Sequence, residues 1–132
     1  MKKNVIKLLG ASLTGVLIAG TVFAGVRNLP TVKVDKLTIE NTVAKNLKVR
    51  FSVENKDGSL GKKTVELDGR GAIKEVHDIK LLITDGFSSW VDVDGYDHYC
   101  GYAESAGKNT ILTISKIKGT YGEYYKCTYS AI

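Results

Sequence analysis

What this chain of 132 residues has little of narrows its possibilities first. It holds one proline, Pro30, and that lies close behind the N-terminal apolar stretch, so no proline-rich linker divides the rest into domains. No repeat or low-complexity segment occurs. The two cysteines, Cys100 and Cys127, lie far from the N-terminus, so no thiol is available there for a lipid anchor. They also lack the Cys-x-x-Cys spacing of redox and zinc motifs. There is no Gly-x-Ser-x-Gly nucleophile motif and no glycine pattern for nucleotide phosphates. Histidine occurs twice, as His77 and His98. No acidic residue precedes Asp35, which makes the basic balance partly a property of the N-terminus. Lys2, Lys3 and Lys7 stand ahead of the apolar run, and without those three the formal charge of +5 falls to +2. A strongly basic face for nucleic acid is not expected from that balance.

The N-terminus has the three parts of a secretory signal. Lys2, Lys3 and Lys7 supply the positive region, residues 8–20 the apolar region, and Val22-Phe23-Ala24 the small or modest residues at −3 and −1 that signal peptidase needs. The apolar run is shorter than the roughly 20 residues of a membrane span and is broken by Ser12, Thr14 and several glycines. The expectation is a signal peptide over 1–24, cleavage after Ala24, and an exported, periplasmic or extracellular protein with no membrane span after cleavage.

Beyond the leader the pattern has period two. Leu47, Val49, Phe51 and Val53 alternate with Lys48, Arg50, Ser52 and Glu54, which predicts a half-buried strand. Val32 and Val34 have opposite parity to Leu37 and Ile39, so a bulge near Asp35-Lys36 is needed to keep one face inward. Val65 and Leu67 lead into the turn Asp68-Gly69-Arg70-Gly71. Ile79, Leu81 and Ile83, then Trp90 to Val93, then residues 98–103, 109–117 and 123–131 continue the series. No segment supports an amphipathic helix. Residues 25–132 therefore predict a single all-β domain, an antiparallel β-sandwich or small β-barrel of about seven to nine short strands.

Cys100 and Cys127 are expected to form one disulfide, which an oxidising compartment permits. Closing their loop contributes roughly 3–4 kcal/mol. The aromatic residues gather around them. All seven tyrosines lie between Tyr96 and Tyr129, with Phe87 and Trp90 just upstream. Tyr96, His98, Cys100 and Tyr102 share one strand face, and Tyr121, Tyr125, Cys127 and Tyr129 another, so a bond between the cysteines brings the two faces together. The charge divides in the opposite sense: residues 25–83 are basic and residues 84–132 slightly acidic.

Two candidate sites follow. Asp92, Asp94 and Asp97 flank Gly95 in the densest carboxylate cluster, a candidate calcium site, although Asp-Gly is also the commonest two-residue hairpin turn. No other cofactor is implied. Trp90, Tyr96, His98, Tyr99 and Tyr124 form a candidate ligand-binding surface, since aromatic rings stack on sugars and are enriched at recognition sites. No nucleophile–base spacing is evident, and catalysis is not expected; an active site would have to use His98 with the three aspartates. The expected function is a non-enzymatic binding module for a glycan or protein surface. The alternatives are a subunit assembling by strand pairing, in a pilus-like or toxin-B-like oligomer, and an inhibitor or immunity protein for an exported enzyme.

Two resemblances bear on those alternatives. The closing segment, with Gly119 fourteen residues from the end and alternation after it, resembles the C-terminal strand of chaperone–usher pilus subunits over about a tenth of the chain. It departs from them in having Ala131 where a tyrosine is expected, and in cysteines confined to the second half. The combination of leader, small barrel and disulfide is similar to bacterial lysozyme inhibitors, without their inhibitory loop motif. The leader makes the first prediction: intact mass of exported protein should begin at Gly25, and a stable membrane species retaining Met1 would contradict it.

Overall fold

The structure is a computed structural model, and it describes residues 29–132. The leader Met1–Ala24 and its cleavage point lie outside these residues. Eight strands and no helix make up the described chain: β1 (Thr31–Asn41), β2 (Leu47–Glu54), β3 (Leu60–Leu67), β4 (Ala72–Leu82), β5 (Ser89–Val93), β6 (Tyr96–Gly101), β7 (Asn109–Gly119) and β8 (Gly122–Ala131). They build one nearly closed, barrel-like sheet in the order β6-β5-β2-β4-β1-β7-β8, with β3 on the other edge of β2. All pairings but one are antiparallel. β1 and β7 run parallel, Lys36 opposite Asn109 through Asn41 opposite Ile114, so the sheet is mixed where antiparallel strands alone were expected.

β4 and β5 share one edge of β2. Leu81 and Lys80 pair with Val53 and Glu54, and Trp90 to Asp92 pair with Arg50 to Lys48. β4 then leads through β1 and β7 to β8, while β5 leads to β6. The two arms curl toward each other around a core that includes Val34, Leu37, Ile39, Val49, Phe51, Leu81, Val91, Leu112 and Ile114. The period-two alternation of residues 47–53 places its apolar members in this core, as a half-buried strand requires.

The parity conflict in β1 is resolved at Asp35. Val34 and Leu37 are both fully buried. The N–H groups of Asp35 and Lys36 both donate to the Lys108 carbonyl, at 2.8 and 3.1 Å, so two residues occupy one ladder step. Across from Asp35, Asp78 takes a positive φ of 55°, and the inward parity of β4 changes there too, from Val76 to Leu81. The register between β1 and β4 therefore stays constant through the change.

One buried polar side chain fastens an end of the barrel. Asn41 is fully buried. Its amide donates to the carbonyls of Lys45 at 2.9 Å and Asp68 at 2.8 Å, and its side-chain oxygen accepts from the Val43 N–H at 2.9 Å. It thus ties the β1–β2 loop to the β3–β4 turn. That turn passes so close that a Cβ on Gly69 would lie 2.9 Å from the Ala44 backbone. Asn41→Leu keeps the bulk but leaves three backbone groups without partners. It should lower unfolding stability by about 3 kcal/mol in urea denaturation, with an unchanged m-value.

Candidate functional site

β6 and β8 end the two arms and lie beside each other, yet no ladder pairs them. The Cys100–Cys127 disulfide spans this seam, with Cα atoms 5.0 Å apart. A bulge aims β6 at it. Trp90 pairs with Tyr99 and Ser89 with Gly101, so Cys100 has no residue opposite it on β5. Gly101 takes a φ of 127°, a conformation that suits glycine. Both cysteines are buried, and such a bond is compatible with an oxidising, exported location.

The two expected faces meet in part along the same seam: His98 and Cys100 reach Tyr125 and Cys127, while Tyr96 and Tyr121 stand exposed. The His98 and Tyr125 ring centroids lie 4.7 Å apart. Further along, the Tyr129 hydroxyl shares a 2.6 Å hydrogen bond with Ser89, which is itself buried. Burial pushes the Tyr129 phenol up to about 12, with the Ser89 bond opposing in part.

Above the disulfide the seam widens into a groove of about 490 Å³. Asp97, His98 and Tyr99 form its β6 wall, and Lys116 with Glu123, Tyr124 and Tyr125 form the β7–β8 wall. Tyr99 and Tyr124 are 50% and 49% exposed, so each offers a ring to solvent. Each ring is also braced. Trp90 stands edge-on to Tyr99 with centroids 5.7 Å apart. Tyr124 lies against the bare backbone of Gly119, where a Cβ would come within 3.0 Å of the ring. The charges are paired in place: Lys116 with Glu123 at 3.2 Å and Arg50 with Asp97 at 2.8 Å. The Lys116 ammonium also sits 5.5 Å from the Tyr125 ring centroid, within cation–π range.

The residues singled out in the sequence thus separate. His98, Tyr99, Tyr124 and Asp97 come together in the seam groove. Trp90 supports that groove from behind Tyr99. Tyr96 stands 72% exposed where the β5–β6 hairpin turns back. Asp92 and Asp94 face a second groove, of about 660 Å³, between the starts of β2 and β4 and the end of β3. That groove is lined by no aromatic side chain. The three aspartates do not converge. Asp94 and Gly95 take φ values of 54° and 84°, the pattern of a tight Asp-Gly hairpin turn, and Asp94 pairs with Lys45 at 2.6 Å. That contact raises the Lys45 pKa. Asp97 is held by Arg50, leaving only Asp92 without a cation in contact. Among the described residues no three metal-ligating side chains form a cluster. Comparison with protein-family models, curated proteins and solved structures finds no match.

Sequence reasoning missed Arg50, Lys116 and Glu123. Arg50 was visible as an outward residue of the clearest strand, but its closeness to Trp90 and Asp97 depends on which strand pairs with β2. Two predictions follow from the seam. Replacing both cysteines by serine should lower stability by roughly 3–4 kcal/mol, measured by chemical denaturation. The high pKa of Tyr129 sets a pH window. Below about pH 10, phenols are protonated in both folded and unfolded chains. Between 10 and about 12 the unfolded chain loses a proton that the folded chain keeps, so stability should fall as pH rises. Tyr129→Phe should flatten that decline in alkaline denaturation curves.

Proposed function

We propose that this protein is an exported, non-enzymatic binding module that takes a glycan or a protein surface into the groove between β6 and β8. The observation that carries the reading is the pair of half-exposed tyrosine rings, each braced from behind, on opposite walls of one groove. Rings fixed before binding lose little conformational entropy when a ligand stacks on them. The cysteines support a binding role over thiol chemistry, because the disulfide consumes both. The same bond supports export, which the leader would direct. No helix of the described residues is long and apolar enough to cross a membrane.

Calcium at Asp92, Asp94 and Asp97 is not part of this reading, since Lys45 and Arg50 already compensate two of the three carboxylates. Assembly by strand pairing would use the outer edge of β3, which has no partner strand among the described residues, since the unpaired edges of β6 and β8 face each other across the disulfide. Lys62 and Lys63 are exposed on that strand, and such charges discourage edge-to-edge association. The binding reading therefore expects a monodisperse protein. Its test is affinity capture from the native envelope or medium, followed by analysis of both bound protein and bound carbohydrate. The wild type should retain a partner that Tyr99→Ala with Tyr124→Ala loses, while Asp94→Asn keeps it. Equal retention by all three would remove the groove from consideration.

A further inference from the structure

We infer that the ligand of the seam groove is an uncharged saccharide rather than a protein surface. The inference rests on the binding role proposed above. Three properties of the groove point to this chemistry.

The first is size. A groove of about 490 Å³ falls within the range of small-molecule sites, roughly 300–1,000 Å³. A stable protein partner would instead need roughly 800 Å² of contact on each side.

The second is the state of its charges. Every ionised side chain on the groove walls has an opposite charge beside it: Asp97 has Arg50, and Lys116 and Glu123 have each other. An ionic ligand must break one of these pairs or leave its own charge uncompensated. A polyol has no such requirement. Its hydroxyls both donate and accept, so they can use the remaining lone pairs of Asp97 and Glu123 and the remaining donors of Lys116 without separating the pairs.

The third is the form of the apolar surface. Tyr99 and Tyr124 present flat rings, held by Trp90 and by the absent side chain of Gly119. The C–H face of a pyranose stacks on a flat ring. Half-buried His98, against Tyr125, adds a polar group between the two walls.

Trp90 is the only tryptophan and touches Tyr99, so its emission reports on the groove. The test titrates the full-length oxidised protein with short neutral oligosaccharides of the gluco, chito, xylo and manno series, following Trp90 fluorescence and, independently, heat of binding. At least one series should bind. Its affinity should change less than about twofold between about 0.05 and 0.5 M sodium chloride, because no net charge is exchanged. Tyr124→Leu keeps apolar bulk at an exposed position but removes the flat face, and should weaken binding about tenfold or more. Gly119→Ala should weaken it too, by displacing the Tyr124 ring.

Absence of binding by all four series would overturn the inference, as would a Tyr124→Leu variant that binds as tightly as wild type. A neutral series whose affinity collapses with salt would equally overturn it, because binding would then turn on the groove's own ion pairs and not on an uncharged contact. If no neutral saccharide binds but capture of a native partner still depends on Tyr99 and Tyr124, the saccharide inference falls and the groove reading stands. If neither holds, both fall.

Discussion

A sheet that curls on itself must either complete its last ladder of hydrogen bonds or hold its final two strands together in another way. Here the second solution operates. β6 and β8 carry the unpaired edges of the two arms, and the Cys100–Cys127 bond stands in place of the missing ladder. The candidate site depends on that arrangement. The strands approach to ladder spacing at the disulfide, 5.0 Å between Cα atoms, and the groove lies further along the seam between Tyr99 and Tyr124. Without a crosslink, one wall belonging to β6 and the other to β7 and β8 would have little to fix their separation beyond ring contacts such as His98 on Tyr125. The disulfide both permits the opening and limits its width.

Around the opening, polar groups find partners locally, apart from the buried Arg50 Nε, which has none. Tyr129 finds Ser89, Asp97 finds Arg50, Lys116 finds Glu123, and Asp94 finds Lys45. Most of these pairs are exposed and contribute little to stability individually. Their effect is on geometry and on ligand chemistry. They orient side chains that would otherwise sample many rotamers, and they leave the groove without an uncompensated charge. The same pairing holds Asp94 and Asp97 to separate cations, Lys45 and Arg50.

Local features were legible in the sequence because local physics decides them. The alternation of residues 47–53 gave β2, the Asp94-Gly95 dipeptide gave a tight hairpin, and the parity change between Val34 and Leu37 required the irregularity found at Asp35. The lone cysteine pair gave the crosslink, and strand parity then brought His98 beside Tyr125. What could not be read was long-range order. The parallel pairing of β1 with β7 leaves no mark in either strand, because both faces and both lengths would serve equally in an antiparallel pair. Arg50 and Lys116 were overlooked for the same reason: each reaches the site only through neighbours that strand order supplies. Gly119 had a readable position but a different role, as the surface on which Tyr124 rests.

The account depends most on the claim that a covalent bond, and no ladder, closes the sheet. Residue-resolved amide hydrogen exchange tests it directly. In the oxidised protein, amides of β1, β4 and β7 should exchange slowly, while those amides of β6 and β8 that point into the seam should exchange near the rate of exposed backbone. Reduction of Cys100–Cys127 should accelerate exchange along β6 while β1 and β7 stay protected. Seam amides as slow as those of β1, in oxidised and reduced protein alike, would mean that hydrogen bonds close the barrel and would contradict the account.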